Sequence, residues 1–215
     1  DIGEIGPDYI PGHAHADTLS FEVSYMGEKI IVNSGVSEYS AGPRRSYQRS
    51  TKAHSTLEIE NLNSSEIWGS FRVGRRAKTK LLELKYSKDN AIISAEHDGY
   101  FVTLNKVKHK RKWEVNKYNL KLKDTITGIG QINSIISRFF LEPNLTPEFF
   151  GKDLIIRDVN LNAVVQISVN GGNLGYEKAY WYPEFGIAIP NYCIIINTSG
   201  NLPIYLNTKF NWMKK

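Results

Sequence analysis

The stretch VKHKRKWEVNKYNLKLK, residues 107–123, decides the fold class. In its first part every second residue falls on one strand face, which holds Val107, His109, Arg111, Trp113 and Val115. The opposite face carries the lysines at 108, 110 and 112. After Asn116-Lys117 the phase shifts, and Tyr118, Leu120 and Leu122 alternate with polar neighbours. A period of two is typical of half-buried β-strands, so the stretch predicts two consecutive strands.

The same kind of pattern fills the rest of the chain. Short apolar runs at 154–156, 163–169, 192–196 and 204–206 are rich in β-branched residues and bounded by turn-forming ones. No segment of a dozen residues keeps a helical stripe between plausible caps. We therefore predict an all-β antiparallel sandwich with few or no helices. No break in composition divides the strands, so residues 1–215 are predicted to form one domain.

Composition and motifs exclude several classes. Apolar residues make up 41% and charged residues 23% of the 215 residues, which is typical of a globular protein. No apolar stretch is long enough to span a membrane. Cys193 is the single cysteine, which excludes an intrachain disulfide and a thiolate zinc cluster. The chain lacks His-Glu-x-x-His, Gly-x-Ser-x-Gly, a phosphate loop and a dinucleotide fingerprint. A distant carboxylate pair for glycoside hydrolysis stays open.

Charge is distributed unevenly along the chain. The net charge is −6 over residues 1–43, +6 over residues 44–80 and +7 over residues 104–123. Such asymmetry indicates a face that meets a polyanion, either nucleic acid or an acidic polysaccharide, although solvated strand faces produce the same pattern. Because Trp113 shares strand parity with Val107 and Val115, we place it in the core and expect no nucleic-acid interface there.

Three histidines form the most informative chemical pattern. His13 and His15 lie two residues apart in PGHAHAD, residues 11–17, and in an extended chain both rings would approach one site. His54 lies in STKAHST, residues 50–56, just before another predicted strand. Two histidines with an oxygen ligand and a water satisfy tetrahedral zinc. Spacing alone leaves a second interpretation open, in which each histidine is a polar residue satisfied at a strand end.

Several sequence blocks resemble one known family. They are residues 12–35, 47–56, 68–77 and 96–100, followed by His109-Lys110-Arg111. Together they are similar to the signature of heparinase II/III-like polysaccharide lyases, and they occur in that family's order across about half of the chain.

The resemblance implies a two-part architecture. In this family an N-terminal α/α toroid precedes a C-terminal antiparallel β-sandwich, and the active site lies in the cleft between them. The chain resembles the sandwich alone. Residues 1–215 are thus expected to be the C-terminal part of a longer chain, with the toroid and its catalytic tyrosine outside them and the isolated sandwich inactive.

The resemblance also implies a metal site. His15 and His54 match two ligands of a metal, usually zinc, that braces the sandwich wall. The third family ligand is an aspartate in a Val-Asp-Ser-Gly stretch, and here Asn33 occupies that position. Because asparagine offers a carbonyl oxygen but no charge, zinc is expected to bind more weakly.

For the cleft, the resemblance implies that His13 assists proton transfer and that Tyr39 and Arg49 contact substrate. The implied reaction is β-elimination at a uronic acid of an acidic polysaccharide, in the periplasm or outside the cell as for relatives. Two alternatives stay open. One is a non-catalytic carbohydrate-binding or scaffold module, and the other is a capsule or exopolysaccharide assembly protein of the same architecture.

Overall fold

A computed structural model describes residues 1–213 of the chain. In chain order its elements are β1 (Val23–Tyr25), β2 (Glu28–Val32), α1 (Pro43–Arg49), a 3₁₀ helix (Thr51–Ala53), β3 (Leu57–Ile59), β4 (Ile67–Trp68), β5 (Arg72–Val73), β6 (Thr79–Tyr86), β7 (Asn90–His97), β8 (Lys108–Asn116), β9 (Asn119–Thr127), β10 (Gln131–Leu141), β11 (Thr146–Phe150), β12 (Asp153–Arg157), β13 (Ala163–Asn170), β14 (Asn173–Trp181), β15 (Ile189–Asn201) and β16 (Ile204–Trp212).

The strands form two large sheets. One has the order β1-β2-β10-β15-β14, with β3 also paired to β10, and the other has the order β11-β12-β13-β16-β9-β8-β7-β6. A small ribbon joins β4 and β5. Every pairing between these strands is antiparallel. The predicted antiparallel β-sandwich is therefore confirmed.

The stretch that predicted the fold forms β8 and β9. Trp113 lies opposite Leu122 in the pairing of these strands, and both are buried in the core. Lys110 on the other face is exposed. Tyr118 was predicted to share a strand face with Leu120 and Leu122, and this prediction was wrong. Tyr118 lies in the turn before β9, where the chain reverses, and its side chain is exposed.

The main core lies between the two sheets. Phe139 of β10 and Phe210 of β16 meet edge to face with their ring centroids 5.3 Å apart, which joins the sheets at this point. Both rings are fully buried. Burying a side chain of this size stabilises the fold by about 1.5–3 kcal/mol, so such contacts hold the sandwich together.

The single α-helix of the described residues is short and buries polar side chains. Pro43 stands at its first turn, a position that suits proline because no helical N–H is needed there. Arg45, Gln48 and Arg49 form the buried face at positions i, i+3 and i+4. Seven residues cannot show the recurring stripe by which longer helices are recognised. No helix among residues 1–213 is long and apolar enough to cross a membrane.

Candidate functional site

Two segments meet to form the candidate site. The Ala16 N–H donates to the carbonyl of Arg49 at 2.9 Å, and the Thr51 hydroxyl donates to the carbonyl of Ala16 at 2.7 Å. These bonds hold the segment that carries His15 against the end of α1 and the 3₁₀ helix, directly before His54. Residues far apart in sequence are thereby brought into one cluster.

His15 and His54 lie in hydrogen-bonding contact. Nδ1 of His15 is 3.2 Å from Nε2 of His54, and Nδ1 of His54 is 2.9 Å from Oδ1 of Asn33. Because an amide oxygen only accepts, Nδ1 of His54 carries the hydrogen and its Nε2 offers a lone pair. His15 then donates from Nδ1, and its Nε2 faces a guanidinium nitrogen of Arg45 at 3.5 Å.

Asp17 completes an acidic and imidazole cluster. One ligand atom each from His15, Asp17 and His54 lie within 4.8 Å of one another. Burial lowers the pKa of His54 to about 3. Burial, with the nearby charges of Arg45 and Arg49, lowers the pKa of His15 to about 4. Burial raises the pKa of Asp17 to about 6. At neutral pH the cluster therefore holds two neutral imidazoles and one carboxylate, the protonation states that a metal requires.

The donor geometry fits a tetrahedral metal. Two nitrogens bound to one zinc at 2.0–2.1 Å would lie roughly 3.3 Å apart, and the two facing imidazole nitrogens are separated by 3.2 Å. A metal bound at Nδ1 of His15 would require the hydrogen of that ring to move to Nε2. Asn33, the predicted third ligand, contacts the opposite ring nitrogen of His54. In this geometry it orients the His54 ring. Asp17 lies where it would offer a charged oxygen to such a metal, a role not predicted from the sequence.

His13 lies apart from this cluster. The Ala14 N–H donates to the carbonyl of Pro11 at 3.0 Å and closes a turn, so the chain is not extended here. His13 is therefore not among the ligand groups of the cluster, but it lies close enough to His15 for its charge to lower the pKa of that ring. His13 is exposed, and its Nδ1 lies 3.0 Å from the hydroxyl oxygen of Tyr39.

Arg45 links the two histidine environments. Its guanidinium faces His15 on one side and lies 4.9 Å from the centre of the Tyr39 ring on another. It also donates to the carbonyls of Gly12 at 3.3 Å and Ser70 at 3.2 Å. Arg45 was not among the site residues predicted from the sequence. The signal available was its spacing of four residues from Arg49, beginning two residues after Pro43.

Arg49 is fully buried, and backbone carbonyls occupy its donors. Its guanidinium donates to the carbonyls of Ala14, Gly69 and Arg72, each at 3.1 Å. Burial lowers the pKa of Arg49 to about 10, which still leaves it charged at neutral pH. This placement favours a positioning role over the predicted contact with substrate, because Arg49 ties the histidine segment to the β4–β5 ribbon.

An exposed aromatic wall stands beside His13. The Tyr39 ring meets Phe185 edge to face at 4.6 Å and Phe71 at 5.9 Å. Phe71 is 49% and Phe185 57% exposed, so both rings present apolar surface to solvent beside Tyr39. The predicted substrate residue Tyr39 thus lies at the centre of an aromatic surface open to solvent.

Gly35 sets the position of the loop that carries Tyr39. Its φ is +81°, and a Cβ added there would lie 1.9 Å from the carbonyl oxygen of Tyr182. The Val36 N–H donates to that same oxygen at 3.1 Å. Only glycine permits both the left-handed backbone and this close approach. The loop is consequently fixed to the strand that ends at Trp181.

A buried ion cluster supports the site from inside the sandwich. Arg111 donates to both carboxylate oxygens of Asp124, at 2.7 and 3.0 Å. It also donates to the carbonyls of Leu19 at 3.0 Å and Ser55 at 3.1 Å. Leu19 lies two residues after Asp17, and Ser55 directly follows His54. Arg111 therefore anchors both segments of the candidate site to β8.

The fold and site together define a class: an antiparallel β-sandwich that presents an exposed histidine and an imidazole–carboxylate cluster on connecting segments. The chain matches the heparinase II/III-like C-terminal family over residues 1–212. It belongs to that family.

Solved structures agree in fold. A heparinase III aligns over 98% of this chain with a TM-score of 0.76 and 15% identity. The heparan sulfate lyase HepC of Pedobacter heparinus aligns over 94% with a TM-score of 0.74 and 16% identity. The chain covers 32% of each of these structures, so it spans about a third of their length. Comparison with curated proteins gave no match.

Proposed function

We propose that this chain is the C-terminal sandwich of a polysaccharide lyase that cleaves a uronic-acid-containing polysaccharide by β-elimination. The observation that carries the proposal is the exposed His13–Tyr39 pair within an aromatic wall. Family membership supports the same reaction class. The location proposed, periplasmic or secreted, follows the resemblance to the family alone.

The reaction requires a base and an acid. A base removes the C5 proton of the uronate, the bond from C4 to the glycosidic oxygen breaks, and its electrons leave with that oxygen, which receives a proton. The electrons of the C5–H bond form the new C4=C5 double bond. Histidine suits proton transfer because the ordinary pKa of an imidazole lies near neutrality. When Nδ1 of His13 donates to Tyr39, its Nε2 presents a lone pair outward as the base.

Two buried guanidinium groups supply positive potential near His13. Among residues 1–213, neither Arg45 nor Arg49 forms an ion pair with a carboxylate. Burial without a counter-charge normally destabilises a charged group, so the arrangement suits an anion that arrives with the substrate. A uronate carboxylate meets this need. Its neutralisation makes the C5 proton easier to remove.

The proposed reaction is tested by ultraviolet absorbance of unsaturated sugar ends. The full-length protein that contains this chain is incubated with a panel of uronate polymers, and a neutral glucan serves as the control. We expect absorbance to rise with at least one uronate polymer and not with the glucan. Absence of a rise on every uronate polymer, by protein that is folded, would contradict lyase function.

A zinc ion is proposed for the cluster of His15, Asp17 and His54. Bound there, zinc would cross-link residues 12–17 to residues 50–56 and so stabilise the segment that carries His13. We expect zinc in the wild-type protein and its loss in His15→Ala and Asp17→Asn. Asn33→Ala removes only the partner of His54, so zinc affinity is expected to fall by about 10–100-fold.

Zinc content after dialysis, followed by competition with a chelator, measures these differences. His13→Ala is the matched control, because His13 lies outside the cluster and its loss should leave zinc binding unchanged. Equal zinc in the wild type and in His15→Ala would remove the proposed ligand role.

A second candidate function is a non-catalytic carbohydrate-binding or scaffold module. The observation that favours it is Asn33, which stands where the resemblance to the family implies an aspartate. Such a module would bind uronate polymers without producing unsaturated ends. A capsule or exopolysaccharide assembly protein would give the same negative absorbance result, so binding and absorbance must be measured on the same samples.

A further inference from the structure

A second basic surface lies on the outer face of the eight-stranded sheet. Strands β9, β13 and β16 and the turn between β11 and β12 enclose a shallow groove of about 340 Å³. Four lysines and one carboxylate are among its lining residues: Lys121, Lys123, Lys152, Lys209 and Asp153. The lining thus carries a net charge of +3. None of these elements holds a residue of the candidate site, and we call this surface the lysine groove.

The strand register arranges polar side chains in two rows across the lysine groove. In the first row Lys121 lies opposite Lys209, and Lys209 lies opposite Ser168. In the second row Lys123 lies opposite Asn207, which lies opposite Asn170. With neighbouring strands about 4.8 Å apart, each row extends roughly 10 Å across the sheet. The groove is therefore large enough to contact more than one charged group of a polymer.

Most of the lysine charge has no partner within the protein. Lys123 forms an ion pair with Glu114 at 3.0 Å. Lys121, Lys152 and Lys209 take part in no ion pair with any residue that the structure describes. The one carboxylate of the groove, Asp153, accepts a hydrogen bond from Gln166 at 2.8 Å. A bound anion would meet at least three ammonium groups that have no competing partner.

Stability does not explain this placement. Lysines often guard the exposed edges of sheets, but β9, β13 and β16 lie in the interior of the strand order. Like charges directly opposite each other, as in the Lys121–Lys209 pair, destabilise an antiparallel sheet. A positively charged row at this position is consistent with a ligand that supplies negative charge.

The neutral part of the groove favours a sugar polymer. The side chains of Ser168, Asn170 and Asn207 have no hydrogen-bond partner among residues 1–213, so their hydroxyl and amide groups are available to sugar hydroxyls. Among the described residues that line the groove, none carries an aromatic ring. Binding of single-stranded nucleic acid relies on such rings for base stacking.

We propose that the lysine groove binds a strand of acidic polysaccharide, as a second binding surface separate from the exposed surface around His13 and Tyr39. The choice of a sugar polymer over other polyanions rests on the proposed function. A long substrate held in the lysine groove would stay bound to the protein between successive reactions at His13.

The test measures binding of a heparan sulfate oligosaccharide by titration calorimetry in the full-length protein. All variants carry His13→Ala, so that cleavage does not consume the probe. The double variant Lys121→Gln/Lys209→Gln is expected to bind roughly tenfold more weakly, a loss of about 1.4 kcal/mol, because two ammonium contacts with the anion are removed. Its affinity should also depend less on salt than that of the parent.

The matched control is Lys88→Gln/Lys178→Gln, which removes the same charge from two exposed lysines elsewhere. It should bind like the parent. Unchanged affinity in the groove variant, or an equal loss in the control, would overturn the proposal. If single-stranded DNA bound the parent as tightly as the oligosaccharide, and the groove variant lost affinity for both to the same extent, the assignment to a sugar polymer would be overturned. The absorbance assay decides lyase function separately, so the two proposals fail independently.

Discussion

His13→Ala is expected to reduce the initial rate of β-elimination by about 10²–10⁴-fold, the usual contribution of a positioned acid or base. The exposed imidazole of His13 is the proposed proton-transfer group of the site, and its Nδ1 lies 3.0 Å from the hydroxyl oxygen of Tyr39, which would fix its orientation. Because the ring is exposed, its truncation should change the free energy of unfolding by less than about 0.5 kcal/mol. The loss would therefore report on chemistry and not on folding.

Tyr39→Phe separates orientation of His13 from the aromatic wall. It keeps the ring against Phe185 and Phe71 but removes the hydroxyl that contacts His13. We expect kcat to fall while KM changes little. Both variants are assayed by ultraviolet absorbance with the same uronate polymer, and their thermal unfolding is compared with the wild type. Full turnover by folded His13→Ala would show that His13 is not the proton-transfer group.

The strand pattern could be predicted because it depends on local alternation. In β8 the side chains of His109, Arg111 and Trp113 point inward although two of them are polar, and the intervening lysines point outward. The inner polar pair is possible because Asp124 lies opposite Arg111 in β9. The phase shift in the sequence indicated a turn at Asn116-Lys117, but the turn lies one residue later, at Lys117-Tyr118, so Tyr118 was wrongly placed in the strand.

The candidate site was harder to predict because its contacts are long-range. Asp17 was visible in the motif, but its role depends on residues 50–56 packing against residues 12–17. Arg45 lies on a helix of two turns, too short for a periodic stripe. The segment of His13 and His15 is not extended, because the Ala14 N–H donates to the carbonyl of Pro11 and closes a turn that the extended-chain prediction did not include. Spacing identified the residue types, and packing determined which of them meet.

The second large effect is expected in the buried cluster behind the site. Its hydrogen bonds run in one direction: the Gly99 N–H donates to Nδ1 of His97, His97 donates from Nε2 to Nδ1 of His109, and His109 donates from Nε2 to Asp124. Burial lowers the pKa of both His97 and His109, so both rings are neutral. Within residues 1–213 the charge of Asp124 is therefore balanced by Arg111.

Although burial alone would raise it, the charge of Arg111 and the hydrogen bond from His109 hold the pKa of Asp124 at about 2. A carboxyl with a lowered pKa in the folded state stabilises the protein above its unfolded pKa of about 3.9, and this stabilisation is lost as the pH falls through about 2. At pH 7 the contribution is complete. Removal of the Arg111 charge at that pH leaves a buried carboxylate with no counter-ion.

Arg111→Met is expected to lower the free energy of unfolding by about 3–5 kcal/mol at pH 7, the usual cost of removing one partner of a buried ion pair. For a domain of this size the loss corresponds to a decrease in Tm of roughly 10 °C. Urea and thermal unfolding at pH 7 measure both quantities, with Lys110→Gln as the control because Lys110 is exposed on the opposite face of β8. An Arg111→Met protein as stable as this control would show that the cluster does not hold the sandwich together.

A folded Arg111→Met protein should also bind zinc more weakly, since the carbonyls of Leu19 and Ser55 lose the donor that fixes Asp17 and His54 in place.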